Sequence, residues 1–174
     1  MKNAVVLHGP RAYDSYQLVN KLHHMAAENS NFRYKMLLYK DYCLLPGSHR
    51  YDEHGDDDLI AVMWSEPQQI AMGLAHTYTI AWDATHATNW LGLKYFDFTT
   101  IDDLGMLAVI SQGLQRHEDN ATSEWALNTF FEFVPTSNIE VGHIDGASEC
   151  MHAFNENLHY FKGGWTLDEW HMNR

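Results

Sequence analysis

The stretch Thr79-Ile-Ala-Trp-Asp83-Ala-Thr-His-Ala-Thr-Asn89 ends a short apolar run on a carboxylate, and Ile139-Glu-Val-Gly-His-Ile-Asp145-Gly-Ala147 does so again much later in the chain. Each run has the length and the β-branched and aromatic content of a buried strand. Two aspartates at strand ends, far apart in sequence, are what a metal-assisted phosphoryl-transfer site needs, because a divalent cation requires hard oxygen ligands on rigid elements. Taken alone, Asp83 reads first as a strand-end residue whose side chain caps the turn Thr85–Asn89, and Asp145 before Gly146 is a turn residue or helix cap. The two together favour a pair of metal ligands.

The surrounding sequence supplies a sheet for them. Leu91–Thr99 and Gly105–Ser111 read as strands around a turn at Asp102-Asp103-Leu104-Gly105. Thr122 or Ser123 opens a helix carrying Trp125, Leu127, Phe130, Phe131 and Val134, and Pro135 closes it. Ile139–Ile144 is a fourth strand and Ala147–Asn157 a further helix. Gly163-Gly164 breaks the chain before a last strand over Trp165–Trp170. This order predicts an α/β fold with a mixed sheet, an antiparallel three-strand meander plus parallel strands, flanked by helices; that is the ribonuclease H-like layout.

The chain divides into an N-terminal α+β extension over 1–75 and the ribonuclease H-like core over 76–174. In the extension, Asp14 caps a helix over 15–29 with Leu18, Leu22 and Met25 on one face. Phe32–Tyr39 and Leu59–Trp64 form a hairpin around the acidic segment Asp52-Glu-His-Gly-Asp-Asp-Asp58, which reads as a solvated turn and does not meet the calcium-loop pattern. Ser65 caps a short helix that Pro67 begins.

Composition narrows the function classes. With 174 residues, 45% of them hydrophobic, the chain folds into a globule with a real core. No apolar run reaches membrane-spanning length, so no membrane partner is expected, and the N-terminus Met1–Val6 lacks signal-peptide anatomy. Cys43 and Cys150 make no zinc-type pair and read as reduced thiols of an intracellular protein, nuclear or cytoplasmic. A net charge of -12 opposes unaided DNA binding, since affinity for phosphates rests on clustered lysine and arginine. Leu7-His-Gly-Pro-Arg11 lacks the ending of a P-loop, and no dinucleotide fingerprint or serine elbow is present.

The run Asp83–Asn89, then Gly92-Leu93 with the strand to Phe98, then Ile101-Asp-Asp-Leu-Gly105, resembles the core of Mutator-like element (MULE) transposases. So do Ser123-Glu-Trp-Ala-Leu127, Ile144-Asp-Gly-Ala-Ser148, the lead-in Leu59–Trp64 with Pro67-Gln-Gln69, and Leu167-Asp168-Glu-Trp-His171, which is similar to that family's Cys-or-Asp, two residues, His signature. The resemblance implies a DDE-type nuclease that cuts and joins DNA with Mg²⁺ or Mn²⁺. It makes Asp83 the first catalytic acid and metal ligand, Asp145 the second, and Asp168 with His171 an accessory pair. That family's helical insertion and third acid, a glutamate, follow the accessory pair. Arg174 precedes both, so the expectation is a core incomplete at its C-terminus. Asp97, on the strand beside that of Asp83, is the candidate substitute.

Two functions follow from this resemblance. One is a transposase nuclease acting on DNA with additional domains. The other is a domesticated, catalytically inactive derivative that works through a protein partner or as a homo-oligomer. Apolar surface is then expected around Phe161, Trp165 and Trp170. A third possibility, an unrelated α/β small-ligand binder, has no motif behind it.

Overall fold

Seven strands join one mixed sheet in the computed structural model, which describes residues 12–51, 54–76, 78–85, 93–136, 139–144 and 147–167. In chain order they are β1 (Arg33–Leu38), β2 (Leu59–Ser65), β3 (Thr79–Thr85), β4 (Lys94–Ile101), β5 (Leu107–Gln115), β6 (Val141–Ile144) and β7 (Trp165–Leu167). The helices are α1 (Ala12–Glu28), α2 (Tyr39–Tyr42), α3 (Pro67–Ala75), α4 (Asn120–Phe133) and α5 (Ser148–Glu156). Across the sheet the order is β1-β2-β5-β4-β3-β6-β7.

The meander β3-β4-β5 is antiparallel, and β6 and β7 run parallel to β3. Parallel neighbours need crossovers, and α4 and α5 supply them. This is the ribonuclease H-like α/β fold. The N-terminal hairpin β1-β2 continues the same sheet, because β2 pairs antiparallel with β5 from Ala61↔Gln115 to Trp64↔Gln112.

Side-chain alternation decides which face is core. Phe96, Phe98 and Thr100 of β4 are buried, whereas Tyr95, Asp97 and Thr99 between them are only half-buried. The buried face meets α4 and α5, with Trp82, Phe98 and Ile144 packed with Leu127, Phe130 and Phe154. On the opposite face α1 packs Val19 and Leu22 against Phe32, Leu59, Val62, Leu93 and Leu114. β2 lies between these layers and is buried from Leu59 to Met63, as its unbroken apolar run requires. Gly113 lets β5 cross this core: a Cβ there would sit 2.3 Å from the Phe96 ring and 2.7 Å from the Val62 carbonyl oxygen.

Several local expectations are corrected. α1 begins at Ala12, so Asp14 lies inside its first turn and not before it. Ser65 belongs to β2, its hydroxyl 2.7 Å from that of Ser111; the cap position of α3 is Glu66, whose backbone N–H donates to Gln69 Oε1 at 2.8 Å. α4 starts at Asn120, capped by Asp119. The acidic segment is not simply solvated. His54 keeps only 5% of its side chain exposed, with Nε2 3.0 Å from His117 Nε2, and the His117 ring stacks on Tyr51 at 4.1 Å.

Candidate metal centre

The centre of the sheet places one carboxylate on solvent. Along β3, Trp82 points into the core, so Asp83 must point to the other face, where it is exposed. Asp97 of β4 lies directly opposite it in the antiparallel ladder. Two like charges facing each other across a ladder destabilise it unless something offsets them. The Asp97 carboxyl titrates above the ordinary carboxylate range. Burial is the main cause and the Asp83 charge adds to it, while a hydrogen bond from Tyr95 opposes both. The Tyr95 hydroxyl is pushed up to about 12, mostly by burial and then by the Asp97 charge.

β6 ends close to this point. It runs parallel to β3 with Ile144 beside Trp82, so the last residue of β6 is level with the residue preceding Asp83. Asp145 follows Ile144 in the chain but lies outside the described residues, as do Asp168 and His171. The expected sharing of one cation by Asp83 and Asp145 therefore falls outside them too. Among the described residues no group of three or more His, Cys, Asp or Glu side chains is gathered for a metal ion. The donors that do meet, Asp83 and Asp97, offer hard carboxylate oxygens. These suit Mg²⁺ or Mn²⁺ rather than a thiophilic metal.

The remaining candidates settle as packing. Cys43 is half-buried and Cys150 buried, and neither is in a disulfide. The apolar surface expected around Phe161 and Trp165 is not there: Phe161 is buried against Phe154, and Trp165 packs on the core with its indole N–H donating to Asn155. Trp170 lies outside the described residues. Exposed apolar side chains gather instead on the β4–β5 hairpin, where Leu104 is 85% and Leu107 73% exposed. Among the described residues no helix is long and apolar enough to cross a membrane.

The raised Asp97 value has a measurable consequence. A carboxyl whose folded value exceeds its unfolded one favours folding in its protonated form. Its contribution is most favourable below the ordinary carboxylate value of about 4 and is lost as pH rises through the folded value. Asp97→Asn removes this charge. We expect the variant to be more stable than the wild type at pH 7 without divalent cations, by roughly 0.2–1 kcal/mol. The difference should shrink as pH falls towards about 4, and urea melts across that range would read it. A variant less stable at pH 7 would show that the carboxylate is held favourably as an anion.

The sequence family described as Zinc finger SWIM domain-containing protein 1/3, RNaseH-like domain, matches residues 47–160, nearly two thirds of the chain. No curated protein matches it closely.

Proposed function

Because the chain belongs to this family of RNaseH-like domains, we propose that it is a transposase-derived domain of the MULE type that keeps a divalent-cation position on Asp83. The activity of that lineage is DDE-type, metal-dependent DNA strand cleavage and transfer. Asp83 and Asp145 would hold Mg²⁺ or Mn²⁺, with Asp97 beside Asp83 as a further carboxylate. The observation that carries the proposal is the Asp83–Asp97 pair, two facing carboxylates at mid-sheet, one of them with its ionisation disfavoured by burial and by the other's charge. A cation on Asp83 would offset that repulsion. When bound, such an ion polarises a phosphoryl oxygen and acidifies a bound water. This chain's own part is to hold two carboxylates on adjacent strands, with the Tyr95 side chain favouring the charged form of Asp97.

The test is thermal melting in Mn²⁺, wild type against the double variant Asp83→Asn, Asp145→Asn. A ligand at one hundred times its Kd stabilises by about 2.7 kcal/mol, so a clear rise in Tm is expected in the wild type and none in the double variant. A wild type unmoved by Mn²⁺ sinks the cation position. Nicking of supercoiled plasmid in Mn²⁺ then separates a nuclease from a retired one.

A second reading has its own support. The exposed apolar hairpin and the net charge of -12 favour a protein that lost the reaction and works through protein partners.

A further inference from the structure

Among the described residues, the sheet face that carries Asp83 is covered over only part of its area. α1 packs over β1 and β2 and the ladder ends at Leu93 and Leu114. Farther along the same face, the row Val109–Thr99–Ala81–His143–Thr166 crosses β5, β4, β3, β6 and β7, and every member is exposed or half-buried. The row alternating with it on the other face, Phe98–Trp82–Ile144, is buried. Among the described residues no helix lies on the open rows.

A sheet face left to solvent ordinarily alternates to polar residues. This one presents Ile101, Leu107 and Val109. The turn that follows β4 adds Leu104 and Met106, so half of the exposed large apolar side chains among the described residues fall between Ile101 and Val109. Five strands span about 20 Å, which accommodates an α-helix about 10 Å across. The rim is acidic. Asp83 and Asp97 border the open rows on one side and Asp102 and Asp103 on the other, where Asp103 Oδ1 lies 3.3 Å from His76 Nδ1. The nearby Lys162 is engaged with Glu140 at 3.4 Å.

We propose that this open half-sheet is a docking surface for an amphipathic helix of another protein, one that presents an apolar stripe flanked by lysine and arginine. Leu107, Val109 and Ile101 are the floor, and the four aspartates select the basic flank. A second copy of the chain fits poorly, since a two-fold pairing sets the same acidic rim against itself. Without a cation on Asp83, DNA fits poorly too, because the floor is apolar and the rim repels phosphate. The docking surface needs no cation, and it shares Asp83 and Asp97 with the cation position proposed above.

The test is fluorescence anisotropy in EDTA. The probe is a labelled helix-forming peptide with leucines at i, i+3, i+4 and i+7 and lysine or arginine between them. A scrambled peptide of the same composition carries the same charge without the stripe. Saturable binding is expected, weaker by about tenfold or more for the scrambled peptide and for the double variant Leu107→Ser, Val109→Ser. Both substituted positions are exposed, and melting of the free variant checks that the fold survives; Leu104→Ser is the fallback on the same patch. Equal binding of the two peptides, unchanged binding by the variants, or no binding at all overturns the proposal. So does a dimer in sedimentation that the double variant abolishes, which would mean a second copy occupies the face. Because EDTA is present, failure here leaves the Mn²⁺ melting result untouched.

Discussion

Phe130→Ala should cost about 3–5 kcal/mol, the range for deleting a fully buried aromatic ring. Phe130 has no exposed surface and belongs to a chain of aromatic contacts. It lies on Phe98 at 4.7 Å, and Phe98 lies on Trp82 at 5.0 Å. Phe131 meets it edge-on at 5.2 Å. The ring therefore ties α4 to β4 and, through Trp82, to the strand that holds Asp83. Truncation removes apolar area from the core and leaves a cavity between close-packed rings that cannot collapse without moving the sheet. For a domain of this size each kcal/mol shifts Tm by about 2–4 °C, so a fall of roughly 6–20 °C is expected in differential scanning calorimetry. Phe130→Leu should cost less than half as much, and Leu104→Ala, on the exposed turn, should stay within about 0.5 kcal/mol. A Phe130→Ala variant that melts within a degree or two of wild type would mean that α4 is not anchored through this ring.

Much of this fold is legible in the chain because its strands are of contrasting kinds. β2 is a continuous apolar run and β4 alternates Phe96, Phe98 and Thr100 with Tyr95, Asp97 and Thr99, so pattern alone identifies both as strands. The turn at Asp102–Gly105 is equally plain. Gly105 takes a φ of +76°, and Asp102 Oδ1 accepts the N–H groups of Leu104 and Met106. Caps were harder, because the deciding bonds are tertiary or use unusual partners. Glu66 precedes Pro67 and is bonded by Gln69, whereas the sequence offered the commoner serine one residue earlier. Periodicity also cannot say that β2 lies against β5, a pairing distant in the chain.

The candidate centre was legible in part. Strand-end position singles out Asp83, and adjacency of strands suggests Asp97, but their facing register depends on where the β3–β4 ladder closes. A slip of one residue would send Asp97 to the core face. The exposed apolar surface lies at the β4–β5 turn and not at Phe161 and Trp165. Phe161 and Trp165 look unpartnered in sequence, yet α5 supplies the Phe154 ring and the Asn155 amide that receive them. Leu104, Met106 and Leu107 flank an ordinary hairpin turn, and alternation gave no sign that the face below them stays open. The histidines of the acidic segment show the same limit: His54 meets His117 across two elements that only the folded sheet brings together.

The cap of α4 carries the other large expected effect, because one carboxylate serves two buried partners there. Asp119 Oδ1 accepts the Thr122 backbone N–H at 2.9 Å, and Oδ2 accepts the Tyr42 hydroxyl at 2.6 Å. Tyr42 is fully buried, and its hydroxyl also accepts the His49 N–H at 2.9 Å. Burial first, and then the Asp119 carboxylate, raise the Tyr42 value well above that of a free phenol, so the group stays a donor throughout the ordinary pH range. Asp119→Ala removes a helix cap, at about 0.5–2 kcal/mol, and strands a buried hydroxyl, at about 1–3 kcal/mol. The expected loss is roughly 2–4 kcal/mol. Asp119→Asn keeps an oxygen for the cap and should fall between the two. Tyr42→Phe leaves the cap intact but deprives both Asp119 and the His49 N–H of a partner. Because the two residues share one bond, the double variant should lose less than the sum of the single losses, with a coupling of about 1 kcal/mol or more. Strict additivity in urea melts would mean that the Tyr42–Asp119 bond contributes nothing, and that α4 is capped independently of the segment carrying Tyr42.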